Sequence, residues 1–164
     1  MGVTTEKSTQ ETNRTATPPV KNPSYNEHGR VRTAYFAFNQ GAAAGDATST
    51  QDLVTLPPGI VRLIKTDSKF VCSAFGSSRT LDIGYAAHTN ADGTAVPLSA
   101  NAILDDADVS AAAKLECGAG TGALGTDPTI LFDSREGVKL YATVAGGTIP
   151  AGATIKGYFK YVTD

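Results

Sequence analysis

A period of two runs through residues 137–162, and no other stretch limits the fold of this chain as strongly. Val138, Leu140, Ala142 and Val144 fall on one side of an extended backbone, with Lys139, Tyr141 and Thr143 on the other. Further on, Ile155, Gly157, Phe159 and Tyr161 alternate with Lys156, Tyr158 and Lys160. Side chains of a strand point alternately to opposite faces, so this mixture of β-branched and aromatic residues predicts two half-buried strands. Gly146-Gly147 and Pro150-Ala151-Gly152 between them supply positive φ and a preset turn. The expectation is a hairpin with a long loop.

The same texture extends back to Arg30. Val31, Thr33, Tyr35 and Ala37 alternate with Arg32, Ala34, Phe36 and Phe38, which puts apolar atoms on both faces and suits a strand covered on both sides. A short strand over Asp52–Leu56 stops at Pro57-Pro58-Gly59. Ile60–Thr66 and Lys69–Phe75 read as two strands joined by a tight turn at Asp67-Ser68, with Phe70, Cys72 and Ala74 on one face. Thr80–Ala87 places Leu81, Ile83 and Tyr85 opposite Asp82, Gly84 and Ala86, and Asn90-Ala91-Asp92-Gly93 is a turn signal. The Ala-rich residues 99–113 are the one candidate for helix, as one or two short turns. Lys114–Cys117 and Thr129–Asp133 complete a set of about eight short strands. The fold class is all-β, a sandwich or jelly-roll-like barrel over residues 30–164.

Residues 1–29 differ. Their apolar side chains are Met1, Val3, Ala16, Val20 and Tyr25, amid Thr, Ser, Asn, Glu and Pro. Such a segment cannot offset its own ordering entropy, so it is expected to be an extended N-terminal arm held by another surface, either a neighbouring chain or its own domain.

Charge excludes a general nucleic-acid binder. Lys+Arg number 14 against 16 Asp+Glu, where a strong basic excess would be needed. The charges are unevenly placed. Residues 82–133 carry eight acidic side chains and Lys114 as their single Lys or Arg. Such a flank usually keeps a surface soluble, and a basic partner is the other reading. No apolar run suits a membrane helix, and the polar start Met1-Gly2-Val3-Thr4-Thr5-Glu6 gives neither a signal peptide nor a myristoylation site. The protein is expected to be made in a cytoplasm. Cys72 and Cys117 are then expected to be buried thiols, although the spacing leaves a disulfide open.

The motifs that could carry chemistry are weak. Gly120-Thr121-Gly122-Ala123-Leu124-Gly125 fits the glycine pattern of dinucleotide sites, but Thr126-Asp127-Pro128 would break the helix such a site needs. Asp105, Asp106 and Asp108 are oxygen donors without the spacing of a Ca²⁺ loop, and Asp92-Gly93 is equally a turn. His28 and His88 form no metal-ligand pair, and a Cys72–His88 nucleophilic pair would need Cys72 off its apolar face. Any two carboxylates could serve glycoside hydrolysis, but the chain has no Trp as a sugar platform. Asn13-Arg14-Thr15 is a glycosylation triplet by pattern, which is idle without secretion. No catalytic, cofactor-binding or metal-ligating residue is assigned, and no enzyme activity or cofactor is expected.

Thr80-Leu81-Asp82-Ile83-Gly84-Tyr85, the Asn90–Gly93 turn, Ala142-Thr143-Val144-Ala145-Gly146-Gly147-Thr148-Ile149-Pro150-Ala151-Gly152 and Lys156-Gly157-Tyr158-Phe159 together resemble small virion proteins of tailed bacteriophages. These are capsid decoration (cement) or related head proteins, and the likeness covers about residues 30–164. It implies a structural homo-oligomeric subunit on the capsid surface, with the major capsid protein and copies of itself as partners. It implies no nucleic-acid or membrane partner, and it transfers no site residue. Two other readings stay open: a tail, neck or fibre protein, and a carbohydrate- or cell-surface-binding sandwich using exposed aromatics such as Tyr141 and Tyr158.

Overall fold

The computed structural model describes residues 7–27, 29–46, 49–118 and 127–163. Two short helices come first, α1 (Thr9–Thr15) and α2 (Ser24–Glu27). Eleven strands follow among the described residues: β1 (Val31–Asn39), β2 (Thr50–Leu56), β3 (Gly59–Cys72), β4 (Thr80–Tyr85), β5 (His88–Thr89), β6 (Ala95–Val96), β7 (Ser99–Asp108), β8 (Ala113–Glu116), β9 (Thr129–Ser134), β10 (Val138–Ala145) and β11 (Thr154–Thr163). One antiparallel sheet runs β1-β11-β3, with β8 and β9 both paired to β3. The second runs β2-β10-β4-β7, and β5-β6 is a separate small hairpin. The two larger sheets pack as a sandwich around one core. Phe36, Leu63, Phe70 and Phe159 enter it from the first sheet, and Leu81, Ile83, Leu104, Leu140 and Val144 from the second. Phe36 stacks on Phe159 with ring centroids 4.9 Å apart. Among the described residues no helix is long and apolar enough to cross a membrane.

The alternation in residues 137–162 forms both strands, but they do not pair with each other. β10 bonds to β2 and β4, whereas β11 bonds to β1 and β3. The intervening loop is therefore an arch between sheets, because both strands direct an apolar face at the same core. Gly146 opens the arch at φ 81°, and Arg79 fastens it by donating to the carbonyls of Gly146 (2.7 Å) and Thr148 (3.2 Å).

Two further expectations change. The turn at Asp67-Ser68 is absent: β3 continues through it, and the register with β11 jumps from Tyr158↔Lys69 to Lys160↔Ile64. Ser68, fully buried, bridges the irregularity, donating from Oγ to the Ile64 carbonyl (2.6 Å) and accepting from the Lys160 N–H (3.0 Å). The Ala-rich candidate helix is a strand, β7, because pairing with β4 and burial of Ile103, Leu104 and Ala107 outweigh a weak helix propensity. Gly84 is what lets β7 lie so close, since a Cβ there would stand 1.9 Å from the Ser99 carbonyl oxygen.

The described part of the arm is not extended throughout. Ser8 caps α1, its Oγ accepting from the Glu11 N–H (3.3 Å). Asn22, buried, gathers the segment: it accepts from Asn13 (2.8 Å) and donates to the Gln10 carbonyl (3.1 Å) and Glu27 (2.7 Å). Arg62 of β3 then holds α2 to the domain, donating to Asn26 (2.7 Å) with its guanidinium 5.6 Å from the Tyr25 ring centre.

Replacing Ser68 with Ala removes the hydroxyl partner of a part-buried carbonyl, that of Ile64, and of a part-buried N–H, that of Lys160. Ser68→Ala should therefore cost about 1–3 kcal/mol, read as a lower urea midpoint. An unchanged midpoint would show that the bulge does not depend on the hydroxyl.

Candidate interaction surface

β1 ends the larger sheet, hydrogen-bonded to β11 on one side. Its sequence suits a strand covered on both faces, yet the outer side chains of β1 itself are exposed, since on that side α2 reaches the neighbouring Arg62 instead. Phe36 points inward and is buried, while Val31 and Tyr35 on the outer face are 56% and 78% exposed. Val71 of β3 and Leu131 of β9 add to the exposed apolar side chains of the same sheet. Pairing register arranges the outer face in rows. One row runs Tyr35–Tyr158–Lys69–Glu116, and the next Ala37–Lys156–Val71–Lys114. Tyr35 and Tyr158 meet edge to face at 6.0 Å, and Lys69 pairs with Glu116 at 2.6 Å. Lys160, beside them, bonds Asp67. A groove of about 400 Å³ runs across the rows between β11, β3 and β8.

The other candidates of the sequence resolve into structural roles where they are described. His88 packs edge to face against Tyr85 (5.6 Å) and Phe132 (5.8 Å), and its Nδ1 lies 3.1 Å from the Ala86 carbonyl, to which it donates whenever Nδ1 carries a proton. Cys72 and Cys117 are free, buried thiols. Burial raises the pKa of both, that of Cys117 to about 12, so neither is poised as a nucleophile. Asp92 closes the β5–β6 turn by accepting from the Thr94 N–H (2.8 Å), which with its hydroxyl holds the carboxyl below its ordinary range. Tyr141 is 8% exposed and offers no open platform. His28 and the Gly120–Gly125 motif lie outside the described residues.

One grouping that the sequence did not suggest comes from a bulge. Between Leu81↔Ala107 and Ile83↔Leu104, β4 contributes Asp82 alone while β7 contributes Asp105 and Asp106. Asp106 takes φ 50°, and its N–H donates to Asp82 at 2.7 Å. The re-aimed side chains bring one carboxylate oxygen of each of the three residues within 4.8 Å of the others. Each also serves the fold, since Asp105 accepts from Asn101 (2.9 Å) and Asp106 from the Thr80 hydroxyl (3.2 Å). Asp108 follows along the same strand and caps the Ser110 N–H (2.8 Å). Leu81 and Ile83 are buried, so Asp82 faces away from the core. Burial raises the Asp82 pKa, the Asp106 N–H opposes the rise, and repulsion from Asp106 and Asp105 adds to it. A carboxyl raised on folding binds its proton more tightly in the native state. Its contribution is thus most favourable below the unfolded value of about 3.9 and is lost as pH rises through the folded value. Asp82→Asn keeps the acceptor for Asp106 and should stabilise the protein at pH 7 by roughly 0.5 kcal/mol or less after solvent screening. The gain should vanish near pH 3 in paired thermal melts. A variant less stable than the parent at pH 7 would contradict this electrostatic account.

No family model matches this chain. No curated protein does either. Among solved structures it is similar to a chain of the cyanophage Pam1 capsid asymmetric unit, with TM-score 0.49 and 13% identity over 88% of this chain and 93% of that one. VP2 from a subviral particle of infectious bursal disease virus gives TM-score 0.48 and 14% identity over 84% of this chain, which spans 33% of that longer one. A chain of the acidic stable capsid of Helicobacter pylori bacteriophage KHP30 gives TM-score 0.33 and 13% identity over 81% of this chain and 93% of that one. At TM-scores below 0.5, the role of this chain rests on its own residues.

Proposed function

We propose that this chain is a structural virion protein, a decoration or cement subunit that binds a bacteriophage head shell in many copies and stabilises it. It acts without catalysis or cofactor, meets the major capsid protein and copies of itself, and engages neither nucleic acid nor membrane. It is made in the host cytoplasm and ends on the capsid surface.

The observation that carries this reading is the exposed outer face of β1 together with the part of its sheet that α2 leaves open. Val31, Tyr35, Val71 and Leu131 are exposed on one sheet. Exposed tyrosine beside exposed aliphatic side chains is the composition of an interface rather than of a plain solvated face. The resemblance of residues 80–93 and 142–159 to phage head proteins supports the same reading. Attachment at many lattice points lets individually modest contacts hold firmly. Quantitative mass spectrometry of purified particles tests it: a copy number commensurate with the shell lattice is expected. The number of a single ring would assign the chain to a neck or baseplate instead, and absence from the particle would overturn the reading.

The arm, residues 1–29, is proposed to lock subunits in place while the domain from residue 30 folds without it. Removing the arm deletes the Asn26 and Tyr25 contacts of Arg62, worth together about 2 kcal/mol. The shortened chain should therefore still melt cooperatively, about 4–8 °C lower, and should bind particles more weakly than the full chain. Failure to fold, or decoration equal to that of the full chain, would refute this division.

A further inference from the structure

We propose that copies of this chain join head to tail, the groove on the outer face of the larger sheet in one copy receiving the carboxylate rim around Asp82, Asp105 and Asp106 of the next. The inference rests on the reading of the chain as a multi-copy structural protein and names the surfaces that such a protein would use.

The groove is organised around Val71. Register places Lys156 of β11 on one side of it and Lys114 of β8 on the other, each one strand spacing away, about 4.8 Å. Two ammonium groups thus straddle an exposed aliphatic side chain. Among the described residues neither lysine has a carboxylate within 4 Å, whereas neighbouring Lys69 and Lys160 are matched by Glu116 and Asp67. The rim is the converse. Asp82, Asp105, Asp106 and Asp108 have no Lys or Arg nitrogen within 4 Å among the described residues. The bulge crowds three of them together, where their like charges repel.

The two surfaces cannot satisfy each other within one molecule. They lie on the outer faces of two packed sheets, and those faces point in opposite directions. A second copy supplies what each lacks. Its carboxylates meet Lys114 and Lys156, and the aliphatic and aromatic surface of Val71 and Tyr158 supplies apolar contact between them. A nucleic-acid backbone would find two unmatched lysines on this face and a repelling acidic rim on the opposite one. A two-fold contact through the groove would set lysine against lysine, so the pairing is heterologous and builds rings or open filaments of subunits.

The test uses two variants of the full chain. Lys114→Glu with Lys156→Glu removes the basic groove and keeps the rim. Asp105→Lys with Asp106→Asn removes the rim and keeps the groove, asparagine being tolerant of the positive φ at residue 106. Cooperative melts near that of the parent establish that both fold. In analytical ultracentrifugation the parent should self-associate, at least about tenfold more weakly in 0.5 M than in 0.05 M NaCl. Each variant alone should be monomeric, and the two mixed should form a one-to-one complex that grows no further, since one intact groove meets one intact rim. A parent monomeric at every concentration, self-association of either variant at the parental level, or no complex in the mixture would overturn the inference. Particle incorporation separates the two claims. If the parent decorates particles in lattice numbers while the mixture fails to pair, the proposed function stands and these surfaces are not its contacts.

Discussion

The contact on which the structure depends is the one between the inner faces of its two sheets. There Leu140, Ala142 and Val144 of β10 share a single core with Ile155 and Phe159 of β11, all with essentially no exposure. Each large side chain buried in this way contributes about 1.5–3 kcal/mol, which is ample reason for two successive strands to enter different sheets rather than pair with one another. Once both apolar faces must meet, the loop after Val144 has to arch over the end of the sandwich. The left-handed turn at Gly146 and the Arg79 fastening follow from that demand.

The same layering sorts the charges. With the inner faces committed to apolar packing, ionic groups are driven to the two outer faces, and each outer face acquires its own sign where register and bulges place like residues together. Lys156, Val71 and Lys114 are brought into one row by strand pairing alone. Asp82 meets Asp105 and Asp106 because β7 carries an extra residue at that point. The irregularities are thus the places where this plain sandwich gains surface character. At Ser68 an irregularity is made good internally by a hydroxyl, whereas at Asp106 it is left facing outward.

The all-β sandwich was legible because alternation reports directly on which side chains face a core, and Phe36, Phe70, Leu81, Ile83 and Phe159 are buried as their periodicity requires. Pairing was not legible. Nothing local distinguishes a hairpin at 137–162 from an arch, since either gives each strand one buried face. The turn expected at Asp67-Ser68 failed for a related reason: a bulge and a tight turn draw on the same small polar residues. In 99–113 the alanine content spoke for helix, and the decisive burial of Ile103 and Leu104 comes from β4, far off in sequence. The carboxylate rim was hidden with it, because Asp82 and Asp105 become neighbours only when β7 is a strand. By contrast, the aromatic character of both faces of β1 was plain. What the single chain adds is that one of those faces is bare.

β11 lies between β1 and β3, so the larger sheet has no continuous ladder until that strand is in place. During synthesis β1 is made early and β11 more than a hundred residues later, so the ribosome must finish Thr163 before the two earlier strands have a common partner. The order in which the chain is made is therefore not the order in which it can close. For that interval the nascent protein holds an unpaired, aromatic strand with Phe36, Phe38 and Tyr35 uncovered, the kind of segment that binds chaperones and neighbouring nascent chains. The interval between making β1 and making β11 therefore sets how long the larger sheet stays open.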